Sequence, residues 1–108
     1  MPSVGLIVDD DPMILDLTAS MLEELGCRAI TSPLASDALR VLQEQAEVTT
    51  LLTDVQMPAT SGGELAAQAR RIRSHLDIVF ASRRESVAGW PFLRKPFSRE
   101  ELSRLVHC

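Results

Sequence analysis

No apolar run in this chain of 108 residues approaches the ~20 residues that a membrane-spanning helix requires. The N-terminus has no basic region followed by an apolar stretch, so no signal peptide is expected. Basic residues are the minority: 11 Lys and Arg stand against 15 Asp and Glu, for a formal charge of −4. Without a basic stripe to neutralise phosphates, broad nucleic-acid binding is not expected. Cysteine is scarce. Cys27 and Cys108 show no metal-type spacing and no disulfide framework, so both are expected to be free thiols in a reducing cytosol. Internal repeats, low-complexity tracts and interdomain linkers are also lacking. What is present, 45% apolar and 24% charged residues, suits a single globular domain over residues 1–108 with a proper core.

Two kinds of segment alternate along the chain. Short apolar runs occur at Val4–Val8, Thr50–Thr53 and Ile78–Ala81, with weaker ones at Cys27–Thr31 and Phe92–Leu93. Between them the apolar spacing is helical. Ile14, Leu17, Met21 and Leu25 share one helix face, with Gly26 at a natural C-terminal stop. Ala38, Val41 and Leu42 mark a second helix, and Leu65, Ala69 and Ile72 a third. Ser98 and Glu101 form a capping-box signature ahead of Leu102, Leu105 and Val106. Strands alternating with helices predict an α/β fold, a parallel sheet covered on both faces. Val48–Thr53 and Leu76–Ala81, apolar on both faces, read as its central strands.

Ligands of such sheets bind at the carboxyl ends of the strands. The first strand ends in Asp9, Asp10 and Asp11, the third in Asp54, the fourth in Ser82 and the fifth near Lys95. Clustered carboxylates repel one another and call for a cation. Hard oxygen ligands with room for water suit Mg²⁺, which takes one or two carboxylates plus phosphate oxygens. A carboxylate beside that metal can become an aspartyl-phosphate, with the metal and the lysine offsetting charge on the transferred group.

The motifs then become specific. "LIVDDDP" resembles the acidic first-strand ending of the receiver domains of two-component response regulators. "LLTDVQMPATSGGEL" is similar to the phosphoacceptor signature of that family at Asp54, Met57, Pro58 and Gly62, and "FLRKPF" to its Lys-Pro at Lys95 and Pro96. The resemblance runs over essentially the whole chain, in the family's order. It implies a flavodoxin-like (βα)5 doubly wound sheet in the order 2-1-3-4-5. Asp9 and Asp10 would be metal-site acids, with Asp10 the direct ligand, and the backbone carbonyl of Gln56 would complete the Mg²⁺ shell with Asp54. Asp54 would be phosphorylated by a histidine kinase or phosphotransfer protein. Ser82 and Lys95 would hold the phosphoryl group, Phe92 would be the aromatic switch, and the Lys95–Pro96 peptide would be cis. The implied protein is a cytoplasmic signalling module, with a homodimer as one option. It would catalyse only its own phosphorylation and dephosphorylation, standing alone or as a segment of a hybrid histidine kinase.

Two departures stand out. Arg83 and Arg84 follow Ser82, where the family is usually small. Only 12 residues separate Ser82 from Lys95, too few for the usual fourth helix, which is therefore expected to be shortened or absent over residues 83–91. Competing readings are a haloacid-dehalogenase-like phosphatase using Asp9 and Asp11, an FMN carrier, and a non-switching interaction module. The phosphatase leaves Asp54-x-x-Met-Pro unexplained, and the FMN carrier lacks a phosphate loop after the first strand. Asp11 before Pro12 is explained without chemistry as a helix N-cap. Trp90 is read as a packing residue, and His75 and His107 as solvated ones.

Overall fold

A computed structural model describes residues 3–57, 60–83 and 89–106. Its elements in chain order are β1 (Val4–Val8), α1 (Pro12–Glu24), β2 (Arg28–Ser32), α2 (Ala35–Glu44) and β3 (Val48–Asp54). The two-residue strands β4 (Gln56–Met57) and β5 (Thr60–Ser61) follow, then α3 (Gly62–Ile72), β6 (Asp77–Ser82), β7 (Phe92–Arg94) and α4 (Arg99–Ser103). The five main strands form one parallel sheet in the order β2-β1-β3-β6-β7, the expected 2-1-3-4-5 arrangement with β4 and β5 set apart in their own antiparallel pair.

Period-2 alternation divides each central strand between two cores. Leu6, Val8, Leu51, Ile78 and Phe80 face Ala38 and Leu42 of α2 and Leu65 and Ala69 of α3. Ile7, Leu52, Val79, Ala81 and Leu93 pack with Leu15 and Leu22 of α1 and Leu102 of α4. Helices cover both faces, so both sets of strand side chains leave water, and apolar residues on both faces of the strands follow from that. Arg73 adds a polar tie at the end of α3: its guanidinium donates to the carbonyls of Val48 at 2.8 Å and Leu42 at 2.6 Å.

The helix ends follow the expected chemistry. Asp11 accepts the Met13 N–H at 2.9 Å with Pro12 in the first turn, and Gly26 takes φ +93° beyond the C-terminus, a left-handed conformation costly for other residues. Ser98 and Glu101 form the reciprocal capping box. Replacing Asp11 by Ala is expected to lower the unfolding free energy by about 1 kcal/mol. Urea titration at constant m-value measures this, and an unmoved midpoint would deny the cap any energetic role.

The right-hand edge differs in detail from expectation. β7 has three residues and pairs Phe92, Leu93 and Arg94 with Phe80, Ala81 and Ser82. The return path along β6 is therefore only about 10 Å at ~3.3 Å per residue, not the length of a whole strand, which is how 12 residues suffice between Ser82 and Lys95. Among the described residues no helix lies between β6 and β7, while residues 84–88 of the expected fourth-helix region lie outside them. The last helix, marked in the sequence by the Ser98 capping box and by Leu102, Leu105 and Val106, covers Arg99–Ser103.

One expectation fails. Cys27 is not a free thiol but disulfide-bonded. The lack of a disulfide framework in the sequence argued for a free thiol; in the fold Cys27 is buried in the same cluster as Leu102 and Val106. Cys108 lies outside the described residues.

Candidate functional site

Parallel strands that all end at one edge deliver their C-terminal residues to one place. Asp9 follows β1 and is buried; Asp10 next to it is exposed; Asp54 closes β3. One carboxylate oxygen from each of these three lies within 4.8 Å of the others. Lys95, just past β7 and only 9% exposed at its side chain, donates from Nζ to Asp9 Oδ2 and lies 3.4 Å from Asp54 Oδ2. Asp9 also accepts the Asp11 N–H at 3.0 Å, so its carboxylate is fixed from two sides. The Lys95 N–H donates to the Ser82 carbonyl at 2.8 Å, which fixes the ends of β6 and β7 together and sets Ser82 in the pocket wall.

These groups surround an open cavity of about 630 Å³, whose rim includes Gln56, Arg83 and Asp11. Three carboxylates against one buried ammonium leave local negative charge uncompensated. The donor set is all oxygen and partly open to solvent, which fits a hard divalent cation that keeps some of its waters.

The base of the pocket depends on close backbone packing at the start of α3. The Gly62 N–H donates to the Val55 carbonyl at 2.8 Å, and a Cβ at Gly62 would stand 2.3 Å from the Asp54 carbonyl oxygen. The Thr53 hydroxyl, fully buried, donates to that same carbonyl at 3.0 Å. Neither contact is foreseeable from residue type. The hints in the sequence are the place of Gly62 in the phosphoacceptor signature and the Gly62–Gly63 pair at a helix start.

With the fold and pocket in place, the comparisons with known proteins are decisive. The family model for the response regulator receiver domain matches residues 6–107. The chain belongs to the receiver-domain family. An "Uncharacterized 14.6 kDa protein in sodA1 3'region" from Leptolyngbya boryana is 39% identical, covering 94% of this chain and 85% of that protein. The transcriptional regulatory protein GlrR of Escherichia coli K12 is 25% identical over 97% of this chain but only 26% of its own length, so the chain spans about a quarter of that relative. Among solved structures, the receiver domain of the hybrid histidine kinase CckA superposes with a TM-score of 0.84 at 26% identity, covering 94% of each chain. The phosphatase alternative finds no support among these relatives.

Within this receiver the sequence-predicted residues do not all meet. Asp9, Asp10, Asp54, Gln56, Ser82 and Lys95 line one cavity. Phe92 does not line it: it is partly buried on the α2–α3 face, in register with Phe80. Met57 packs against that same core, and Pro58 lies outside the described residues. Asp11 reaches the rim while its side chain caps α1. Trp90 is a packing residue, as read from the sequence. Its ring meets Phe80 edge-on at 5.6 Å and carries the Arg70 guanidinium 5.1 Å from its centroid.

Proposed function

We propose that Asp54 is the phosphoacceptor of this phosphorelay receiver and that a histidine kinase or phosphotransfer protein supplies the group from a phosphohistidine. The observation that carries this reading is the convergence of Asp54 with Asp9, Asp10 and Lys95 around one open cavity. An Asp54 carboxylate oxygen attacks phosphorus and forms the acyl-phosphate P–O bond. The donor's P–N bond breaks, and its electron pair stays on the imidazole nitrogen. Asp9, Asp10, Asp54 and the Gln56 carbonyl would hold Mg²⁺, which when bound supplies positive charge to the phosphoryl oxygens. Lys95 is already poised between Asp9 and Asp54, so it can follow the charge onto the new phosphoryl group without leaving the pocket. Such chemistry is self-modification rather than turnover of a separate substrate. Labelling by a small acyl phosphate with Mg²⁺, with Asp54→Asn as control, is the direct test.

The partner must bring its phosphohistidine over the cavity mouth, and α1 forms one side of it through Pro12 and Ile14. Met13 and Leu17, four apart on that helix, are 69% and 52% exposed. We assign this apolar pair to the docking face for the donor's helices. Met13→Asp with Leu17→Asp is expected to slow transfer from the kinase at least tenfold, about 1.4 kcal/mol, while labelling by a small acyl phosphate stays within about twofold. Equal losses with both donors would remove α1 from docking. No helix among the described residues is long and apolar enough to cross a membrane. A cytoplasmic setting is part of this proposal and rests on the kinase partner alone, since a bonded Cys27 points away from a reducing compartment.

Ser82 is assigned to hold the phosphoryl group and pass its arrival to β7, with Phe92 as the responding side chain. The backbone link from Lys95 to Ser82 and the register of Phe92 with Phe80 support this route. In Ser82→Ala, labelling is expected to remain within about threefold of wild type, because the hydroxyl contributes roughly one neutral hydrogen bond. The phosphorylation-dependent NMR shift of the Phe92 ring should shrink by at least half. An unaltered shift would take Ser82 out of the switch.

A further inference from the structure

We infer that Arg83 is a specificity-determining residue of this pocket, a second cation that favours doubly charged phosphodonors over singly charged ones. The inference rests on Asp54 as phosphoacceptor. The cavity is lined by four aspartates, Asp9, Asp10, Asp11 and Asp54, and by two cations, Lys95 and Arg83. The two cations are not equivalent. Lys95 is buried and already engaged, bonded to Asp9 and close to Asp54. Arg83 is exposed at the rim, and among the described residues it forms no ion pair. Its charge is therefore the one directed at what arrives from solvent rather than at the acids already in place.

Its main chain is fixed from both sides. The residue before it, Ser82, accepts the Lys95 N–H at 2.8 Å, and the Arg83 carbonyl itself accepts Arg94 Nη1 at 3.1 Å. A second guanidinium thus braces the residue that presents the first. An exposed arginine on a fixed main chain obstructs little, since the side chain moves, but its field acts over a Debye length of ~8–10 Å at ordinary salt. A phosphodonor must pass a rim lined with carboxylates. Without Arg83 a dianion meets more repulsion than a monoanion, so the residue's contribution grows with donor charge.

Two small donors separate charge from chemistry. Acetyl phosphate, a dianion near neutral pH, transfers its phosphoryl group to the Asp54 carboxylate and leaves as acetate, which keeps the bridging P–O electron pair. Phosphoramidate, a net monoanion as the ammonium form, forms the same Asp54 acyl phosphate and leaves as neutral ammonia with the P–N pair. The apparent second-order rate constant for Mg²⁺-dependent labelling is measured with each donor for wild type, Arg83→Gln and Arg83→Lys, over a range of ionic strength. In Arg83→Gln the acetyl phosphate rate is expected to fall about fivefold at low salt and the phosphoramidate rate by less than about twofold. The acetyl phosphate deficit should vanish at high salt, and Arg83→Lys should retain the wild-type ratio. An unchanged donor ratio in Arg83→Gln overturns the inference, as does faster labelling by both donors, which would make Arg83 an obstruction. Wild type unlabelled by either donor, or labelled equally in Asp54→Asn, instead overturns the phosphoacceptor assignment on which this rests.

Discussion

Replacing Asp54 by Asn is expected to reduce phosphodonor labelling to background and, in metal-free buffer, to raise stability by on the order of 1 kcal/mol. The first effect follows from chemistry: an amide oxygen is a poor nucleophile and its nitrogen forms no acyl phosphate. The second follows from crowding. Three carboxylates present oxygens within 4.8 Å of one another, and Lys95 bonds Asp9 directly while standing 3.4 Å from Asp54. Neutralising Asp54 without changing its shape removes repulsion from both neighbours, and the attraction to Lys95 at 3.4 Å that is lost with it is offset by the Lys95–Asp9 bond that remains. Mg²⁺ should shrink the gain, because it stabilises wild type more than the variant by mass action. Asp10→Ala should weaken Mg²⁺ binding at least tenfold, about 1.4 kcal/mol, and remove most labelling with it. Phosphoprotein gels and urea titrations with and without Mg²⁺ read all three. Mg²⁺-dependent labelling that survives in Asp54→Asn would place the acceptor elsewhere.

Much of this site was legible because strand ends in a parallel sheet are easy to index. Once Val4–Val8, Thr50–Thr53 and Ile78–Ala81 are read as neighbouring strands, the residues that follow them must share an edge, and Asp9, Asp10, Asp54 and Ser82 do. Helix caps were legible for the same reason: a cap is local, and Asp11–Pro12 and Ser98–Glu101 carry it within four residues. What stayed hidden depends on distances across the fold. The Lys95 ammonium bonds Asp9 before Asp54, a choice set by the placement of two loops. Cys27 read as a free thiol because two cysteines make no disulfide framework, whereas its bonding depends on what the fold brings beside it, with Leu102 of α4 in the same cluster. The β4–β5 pair spans strands of two residues each, below the length at which alternation gives a signal. β7 runs one residue past the Phe92–Leu93 run read from the sequence, to Arg94, and Pro91 before it already extends the path: its carbonyl accepts the Phe80 N–H at 3.0 Å.

Gly62 is where fold and chemistry meet, and Gly62→Ala should damage both. A Cβ there would stand 2.3 Å from the Asp54 carbonyl oxygen, 3.2 Å from its carbon and 3.1 Å from Phe80 Cε1. Two of these neighbours are backbone of Asp54, the proposed phosphoacceptor, so no rotamer change relieves the overlap. Relief requires the start of α3 or the end of β3 to move by roughly 1 Å to reach ordinary contact of ~3.5–4 Å. The movement also strains the Gly62 N–H bond to the Val55 carbonyl. Overpacking of this kind costs about 3 kcal/mol at the upper end of its usual range. A displacement near 1 Å at a reacting group can slow transfer ~100-fold. Gly63 supplies the control, because a Cβ there meets only Ser61 Oγ at 3.8 Å. Gly63→Ala should therefore keep the labelling rate and gain up to about 1 kcal/mol from helix propensity. Urea midpoints and acyl phosphate labelling of the two variants, measured side by side, separate the explanations. If Gly62→Ala matched Gly63→Ala in both readouts, the close approach to Asp54 would not constrain this position. If Gly62→Ala lost stability but labelled at the wild-type rate, α3 would have yielded while β3 held the acceptor in place.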